Sequence, residues 1–198
     1  MKNIVIIGAG ELGKQIVWLI EDINKEVPTY LILGFLDDDY EKKGMEFYGY
    51  KVLGRVALLG QLSEKTPLSA VIAIQDGSAR KQIVQENASF ENWESIIHPT
   101  SVIASTSTIG VGSVFFPQVT VSVDSKLGVF GLYNIHSTIS NDCFIGNYTS
   151  LMSGVIISEH SNIGDECLLG AGSCVYPYIT VGNKSKVPVG AIVQKDCK

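Results

Sequence analysis

The sequence predicts a small α/β unit followed by a left-handed parallel β-helix, and three observations carry that prediction. Strand and helix signals alternate over the first hundred residues. Helical periodicity stops after His98 and Pro99. From there an apolar residue recurs at every sixth position. Strand–helix–strand order implies a parallel sheet with right-handed crossovers, and a six-residue period marks a β-solenoid. The expected domains are therefore residues 1–98 and 99–198.

In the first domain, Asn3 to Ile7 is an apolar strand run. Glu11 to Ile23 has helical spacing, with Ile16, Leu19, Ile20 and Ile23 on one face. Tyr30 to Leu36 reads as a second strand and Leu68 to Ile74 as a third. A polar helix follows through Ala79, Ile83 and Val84, and Trp93 to Ile97 reads as a fourth strand. Strand one runs into Gly8-Ala9-Gly10-Glu11-Leu12-Gly13, a GxGxxG that opens the first helix. Glycines there permit a tight turn and close backbone approach, and a helix N-terminus attracts phosphate. Asp37-Asp38-Asp39 ends the second strand, where a ribose-binding carboxylate is expected. A dinucleotide fold needs two such halves, around six strands; with only four, this Rossmann-like domain suits one nucleotide better than NAD, and an NAD-linked reductase is disfavoured. A purely structural glycine turn and a solvated acidic turn remain the plain alternatives.

In the second domain the apolar positions run from Ile103 in steps of six through Phe115, Tyr133, Ile145, Ile163 and Val181 to Val193, without an insertion. Two residues before each stands a small or β-branched one, among them Ser107, Ser125, Cys143, Thr149 and Cys167. Gly follows the apolar residue at Gly110, Gly128, Gly146, Gly164, Gly170 and Gly182, where it is expected to supply backbone angles that other residues avoid. Three six-residue faces make one triangular coil, so residues 103–193 form about five coils stacked roughly 4.8 Å apart.

The composition is 45% hydrophobic and 18% charged, with a net charge of −5. No Lys/Arg cluster points to nucleic acid or an anionic membrane. The apolar opening from Ile4 to Gly10 is too short for a membrane span, and a cytoplasmic location is expected. Cys143, Cys167, Cys174 and Cys197 lack metal-site spacing; free thiols in a reducing compartment are expected. Cys143 and Cys167 fall in the small inward slot, as core residues rather than nucleophiles.

The stretches Ile4–Lys14 (IVIIGAGELGK), Gly34–Asp38 (GFLDD) and Ile97–Ile103 (IHPTSVI), together with the coils that include Asn141-Asp142-Cys143-Phe144-Ile145-Gly146, carry a resemblance over essentially the whole chain. The sequence resembles the hexapeptide-repeat sugar acyltransferases with a small N-terminal nucleotide-sugar domain, of the sialic acid O-acetyltransferase and bacillosamine-pathway N-acetyltransferase type. That resemblance implies a homotrimer with acetyl-CoA, the co-substrate, lying between neighbouring solenoids, and no metal. It implies that Gly8, Gly10, Asp37 and Asp38 hold the acceptor's nucleotide. It also implies that Ser153-Gly154 and Gly170-Ala171-Gly172 line the CoA arm.

The chain departs from the family pattern at the chemistry. Relatives commonly read Glu-His-Asp-Cys, with the His as general base and the Glu orienting it. Here the residues are Ser140-Asn141-Asp142-Cys143. A second family histidine corresponds to Ser150, and a Gly one coil above the catalytic His corresponds to Glu159. The Gly-Val-Pro-Ala-Lys stretch common near the end of relatives is not found. An Asn side chain accepts no proton at neutral pH. Glu159, one coil above Asn141, offers a substitute base provided burial raises its pKa. Asp142 can orient a neighbour. His136 shares a column with Gly154 and Gly172 at eighteen-residue steps, and is a candidate near the thioester or else a packed interface residue. His98 is expected to be structural, and His160 occupies an outward slot.

The expected activity is acetyl-CoA-dependent N-acetylation of an amino sugar carried on a nucleotide, UDP-linked, for surface glycan synthesis. An amine needs less help from a base than a hydroxyl, which favours N- over O-acylation. The alternatives are O-acetylation of a sugar hydroxyl, and a degenerate homologue that binds a nucleotide sugar or a partner without turnover.

Overall fold

A computed structural model describes residues 1–197, with only the backbone of Tyr40. The chain divides into two compact units. The first comprises Met1–Gln75 and Ala79–Ile96; the second comprises Asp76–Ser78 and residues 97 onward.

The first unit is a five-stranded sheet in the order β3-β4-β2-β1-β5. Its strands are β1 (Lys2–Ile7), β2 (Tyr30–Leu36), β3 (Glu46–Phe47), β4 (Tyr50–Gly54) and β5 (Ser69–Ile72). All pairings are parallel except β3 with β4. Ile4, Val5, Ile6 and Ile7 are fully buried, as a central parallel strand covered on both faces requires. Helix α1 (Glu11–Glu26) buries Ile16, Val17, Leu19 and Ile20. It stops at Val27, whose extended backbone is the conformation imposed on a residue that precedes proline, here Pro28. Helices α2 (Leu59–Lys65) and α3 (Gly77–Glu86) complete the order.

The expected fourth strand, Trp93–Ile97, does not form as one element. Trp93 makes a single parallel bridge to Ala70, while Ile96–Ile97 is the first rung of a solenoid sheet. The strands β3 and β4 and helix α2 were not expected from the sequence. They contain few residues, and a two- or five-residue strand gives too short a window for an alternation signal.

The second unit is the left-handed parallel β-helix. Two-residue strands end at Ile103, Ile109, Phe115 and every sixth residue to Val193. They stack into three parallel sheets with an eighteen-residue register, for example Lys126 with Phe144 and Ile145 with Ile163. The interior column is apolar and fully buried from Phe115 to Val181 apart from small residual exposures at Val121 and Leu127. The small inward slot has a second function beyond size. Its side chains donate to a carbonyl fifteen residues on: Ser107 to Ser122, Ser125 to Ser140, Cys143 to Ser158, Thr149 to Gly164, Ser161 to Tyr176 and Cys167 to Gly182. Ser, Thr and Cys thereby satisfy carbonyls at the bends, where strand pairing cannot reach them.

The glycines after the apolar residue do not have the role expected of them. None of Gly110, Gly128, Gly146, Gly164, Gly170 and Gly182 has positive φ. At Gly146 an added Cβ would press on the backbone of Gly164 and Asp165. Close approach between coils selects glycine there. The left-handed residue lies two positions later, and it is mostly not glycine: Gln118, Asp124, Phe130, His136, Asp142, Tyr148, His160, Glu166, Tyr178 and Lys184 all have φ between 53° and 63°. The corners therefore form three columns. One holds Gly112, Phe130, Tyr148, Glu166 and Lys184. The second holds Gln118, His136, Gly154, Gly172 and Gly190. The third holds Asp124, Asp142, His160 and Tyr178.

Candidate active site

The glycine loop and the acidic run meet in one cavity of the first unit, of about 380 Å³, lined by Gly8, Gly10, Glu11, Asp37, Asp38 and Lys42 among others. That volume is within the range of small-ligand sites. Gly8 has φ +108°, and a Cβ on it would lie 2.8 Å from the Ala73 carbonyl oxygen. Gly13 allows α1 to pack on the Gly8 carbonyl. Gly10 faces open space at the N-terminus of α1, which has no side-chain cap.

Asp37 is the brace of this loop. Its Oδ2 accepts the Ala9 N–H at 2.8 Å and pairs with Lys42 Nζ at 3.0 Å, while its Oδ1 accepts the Asp39 N–H at 2.9 Å. Burial alone would raise its pKa. The Asp39 and Ala9 N–H groups and the Lys42 ammonium outweigh that effect and hold the carboxyl below the usual range. Asp38 Oδ1 accepts the Val56 N–H at 3.0 Å and faces Arg55 Nε at 3.4 Å. All four residues expected to bind the nucleotide come together. Sequence reading missed Lys42. Its signal is the basic pair Lys42-Lys43 just after the acidic run, which the short 3₁₀ turn Tyr40–Lys42 folds back onto Asp37.

In the solenoid, the expected chemistry is divided between two corners. His136 is exposed on the second corner with Gly154 and Gly172, and its N–H bonds the Pro117 carbonyl at 3.2 Å. Asn141, Asp142 and Glu159 lie on the third, beyond strand Thr138–Ile139. Within one chain, His136 and Asn141 are not brought together. On the third corner Asn141 Nδ2 donates to Asp142 Oδ2 at 2.8 Å, and the His160 N–H bonds the Asn141 carbonyl at 3.1 Å. Glu159 is half-buried. His98 is buried, and its Nδ1 accepts the Thr100 N–H at 3.1 Å.

The corners differ in how they treat the N–H that precedes the left-handed residue. On the first corner a ladder of side chains accepts it: Asn147 from Val129, Asp165 from Asn147 and Asn183 from Asp165. On the second, no such acceptor faces the Ser153 and Ala171 N–H groups among the described residues. These donors remain available to a bound molecule. The Cys143 and Cys167 thiols are buried, and burial pushes both pKa values up, which disfavours the thiolate needed for nucleophilic attack. Among the described residues no cluster of three His, Cys, Asp or Glu side chains is arranged to hold a metal, and no helix is long and apolar enough to cross a membrane.

Comparison with known proteins places this architecture. The PglD N-terminal domain family matches residues 3–87. The acetyltransferase domain of PglB from Neisseria gonorrhoeae FA1090, in complex with acetyl coenzyme A, is 27% identical, with 98% of this chain and 92% of that one covered and a TM-score of 0.87. Over nearly its full length the chain is thus similar to an acetyltransferase domain. Another relative is UDP-N-acetylbacillosamine N-acetyltransferase from Bacillus subtilis (strain 168), 30% identical over 118 residues, or 58% of this chain. The match spans about half of that protein, 51% of its length. A histidine-to-asparagine mutant of perosamine N-acetyltransferase from Caulobacter crescentus, in complex with CoA and GDP-perosamine, shares the fold. It is 24% identical over 99% of this chain and 90% of that one, with a TM-score of 0.90. Alongside these likenesses the chain carries a braced glycine-loop cavity, a solenoid corner with open backbone donors, and a corner where Asn141 stands beside Asp142.

Proposed function

We propose that the protein transfers the acetyl group of acetyl-CoA to the amine of an amino sugar carried on a nucleotide, UDP-linked, in surface glycan synthesis. The observation that carries this reading is the pairing of a built glycine-loop cavity with a full-length likeness to an acetyltransferase domain in complex with acetyl coenzyme A. In this reading Gly8, Gly10 and the α1 N-terminus take the nucleotide's phosphates. Lys42 adds a positive charge, and Asp37 and Asp38 fix the loop and take the ribose side. Ser153, Gly154, Gly170, Ala171 and Gly172 take the CoA arm. The Ser153 and Ala171 N–H groups are the donors for the pantetheine amides and for the oxyanion that develops on the thioester carbonyl. His136 lies in the same column and contacts the thioester end.

The amine attacks the thioester directly, without an acyl-enzyme. Both inward thiols are buried with raised pKa values. Asn141 in place of a histidine favours an amine acceptor over a hydroxyl, because a neutral amine is already a competent nucleophile. We read the working unit as a cytoplasmic homotrimer. Support comes from an uncharged outward column along one sheet: Val102, Thr120, Thr138, Ile156, Cys174 and Ile192. Such a face carries none of the lysines and glutamates that keep sheet surfaces apart. Residues 1–98 then form the nucleotide-sugar domain and 99–198 the acyltransferase domain.

The test is thiol release from acetyl-CoA against a panel of UDP-, dTDP- and GDP-linked amino sugars. Turnover with an amino sugar is the expected result. Asn141 also favours a second reading, a binding protein without turnover. CoA and nucleotide-sugar binding with no thiol release from any acceptor would establish that reading instead.

A further inference from the structure

The third corner holds a histidine that the family's active-site pattern does not contain. His160 follows Glu159, one coil beyond Asp142, and is 42% exposed. Its Nε2 lies 4.0 Å from Asp142 Oδ2, and its ring stacks on Tyr178 with centroids 4.8 Å apart and planes 13° from parallel. Asp142 Oδ2 is itself held by Asn141 Nδ2. The imidazole is thus fixed on one side by a carboxylate and on the other by an aromatic face. A separation of 4.0 Å is too long for a hydrogen bond, but contacts of this kind tighten once a substrate is bound. A carboxylate facing Nε2 selects the tautomer with its proton there and leaves Nδ1 as an acceptor. The other titratable groups near this corner include Glu159, the buried Cys143 thiol and the Tyr178 hydroxyl, with Asp124 one coil below Asp142 and Lys126 beside Asp124.

We propose that His160 is the proton acceptor in acyl transfer, replacing the base lost at Asn141, with Asp142 and Tyr178 as positioning residues. The assignment rests on the acyl-transfer reading above. The amine nitrogen attacks the thioester carbonyl carbon, so that a C–N bond forms and the C–S bond breaks. The proton leaves nitrogen for His160 Nδ1. The CoA sulfur departs with the bonding pair and takes a proton from the imidazolium, which returns the ring to its starting state. Of the two candidate acceptors on this corner, His160 is the one held between a carboxylate and an aromatic ring, so the proton is assigned to His160 rather than Glu159.

The corner tolerates substitution. Gln118 adopts the same left-handed backbone at φ 61°, and glycine occupies such corners at Gly154 and Gly172. The test compares wild type, His160→Gln, His160→Gly and Glu159→Gln for kcat, KM and pH dependence. His160→Gln is expected to lower kcat about 100-fold with the KM for acetyl-CoA within about threefold, and to abolish the single-proton acid limb of kcat. Added imidazole is expected to restore His160→Gly in part, while Glu159→Gln keeps kcat within about fivefold. An active wild type whose His160 variants keep kcat and the acid limb would overturn the assignment and leave acyl transfer standing. So would a Glu159→Gln protein that loses turnover while His160→Gln retains it. A wild type without turnover on any acceptor would sink the parent reading and this one with it.

Discussion

At the scale of single residues, Asp37 has the most to reveal. Two backbone N–H groups and Lys42 bind its carboxylate form, and its pKa in the fold lies below the ordinary 3.8. A carboxyl whose folded pKa is depressed adds stability above its unfolded pKa, and that increment is lost as pH falls through the folded value. Urea midpoints of wild type and Asp37→Asn should therefore differ near pH 7, begin to converge as pH falls below about 4, and meet only below the depressed folded value. The same variant is expected to bind UDP at least tenfold more weakly, as measured by calorimetry, because the Ala9 N–H loses its anionic acceptor and the loop its brace. A variant that binds UDP normally would make Asp37 a contributor to stability alone. These roles were only partly legible in sequence. The GxGxxG and the Asp run announce their place, because glycine spacing and strand ends are local properties. That Lys42 folds back onto Asp37 depends on a 3₁₀ turn that leaves no periodic trace.

At the scale of elements, the hexapeptide period marked every solenoid strand from Val102–Ile103 onward and missed only the first rung, Ile96–Ile97, since one inward residue per face is a constraint that each coil must meet separately. The physical reason for the glycines was harder to read. Composition shows that Gly is needed without showing whether the backbone angle or the neighbouring coil requires it. The two causes predict different costs. At Gly146 a Cβ would collide with backbone of Gly164 and Asp165, which cannot rotate away. At Gly172 the φ is +67° but nothing lies within 4 Å. Gly146→Ala should therefore cost about 3 kcal/mol, and Gly172→Ala about 1 kcal/mol, by chemical denaturation. Equal costs would mean that the coils can part to admit a methyl group. Corner positions such as His136, Asp142 and His160 carry the left-handed backbone without glycine. Sequence reading thus placed the candidate residues in the right columns while misjudging which position bends. The short β3–β4 hairpin was missed for the same reason that hairpins of this size generally are, too few residues to alternate.

At the scale of the whole molecule, the division of chemistry between corners is the fact that an account of turnover has to accommodate. His136 and the open Ser153 and Ala171 N–H groups lie on one corner, and Asn141, Asp142, Glu159 and His160 on the next. The proposed homotrimer would resolve this by setting one chain's corner against its neighbour's, with the uncharged column from Val102 to Ile192 as the packing surface. Ile156, at 46% exposure, sits near its middle. A lysine there must either stay solvated or be buried without a partner, and an unpaired buried charge costs several kcal/mol. Ile156→Lys is therefore expected to run as a monomer by size exclusion with light scattering, and to lose thiol release from acetyl-CoA by at least 100-fold. Binding of UDP should survive, because every residue lining the glycine-loop cavity belongs to the first unit. An Ile156→Lys monomer with full turnover would show that one chain suffices, and would move the thioester site off the shared surface. An assembled, active Ile156→Lys protein would place the interface on another face.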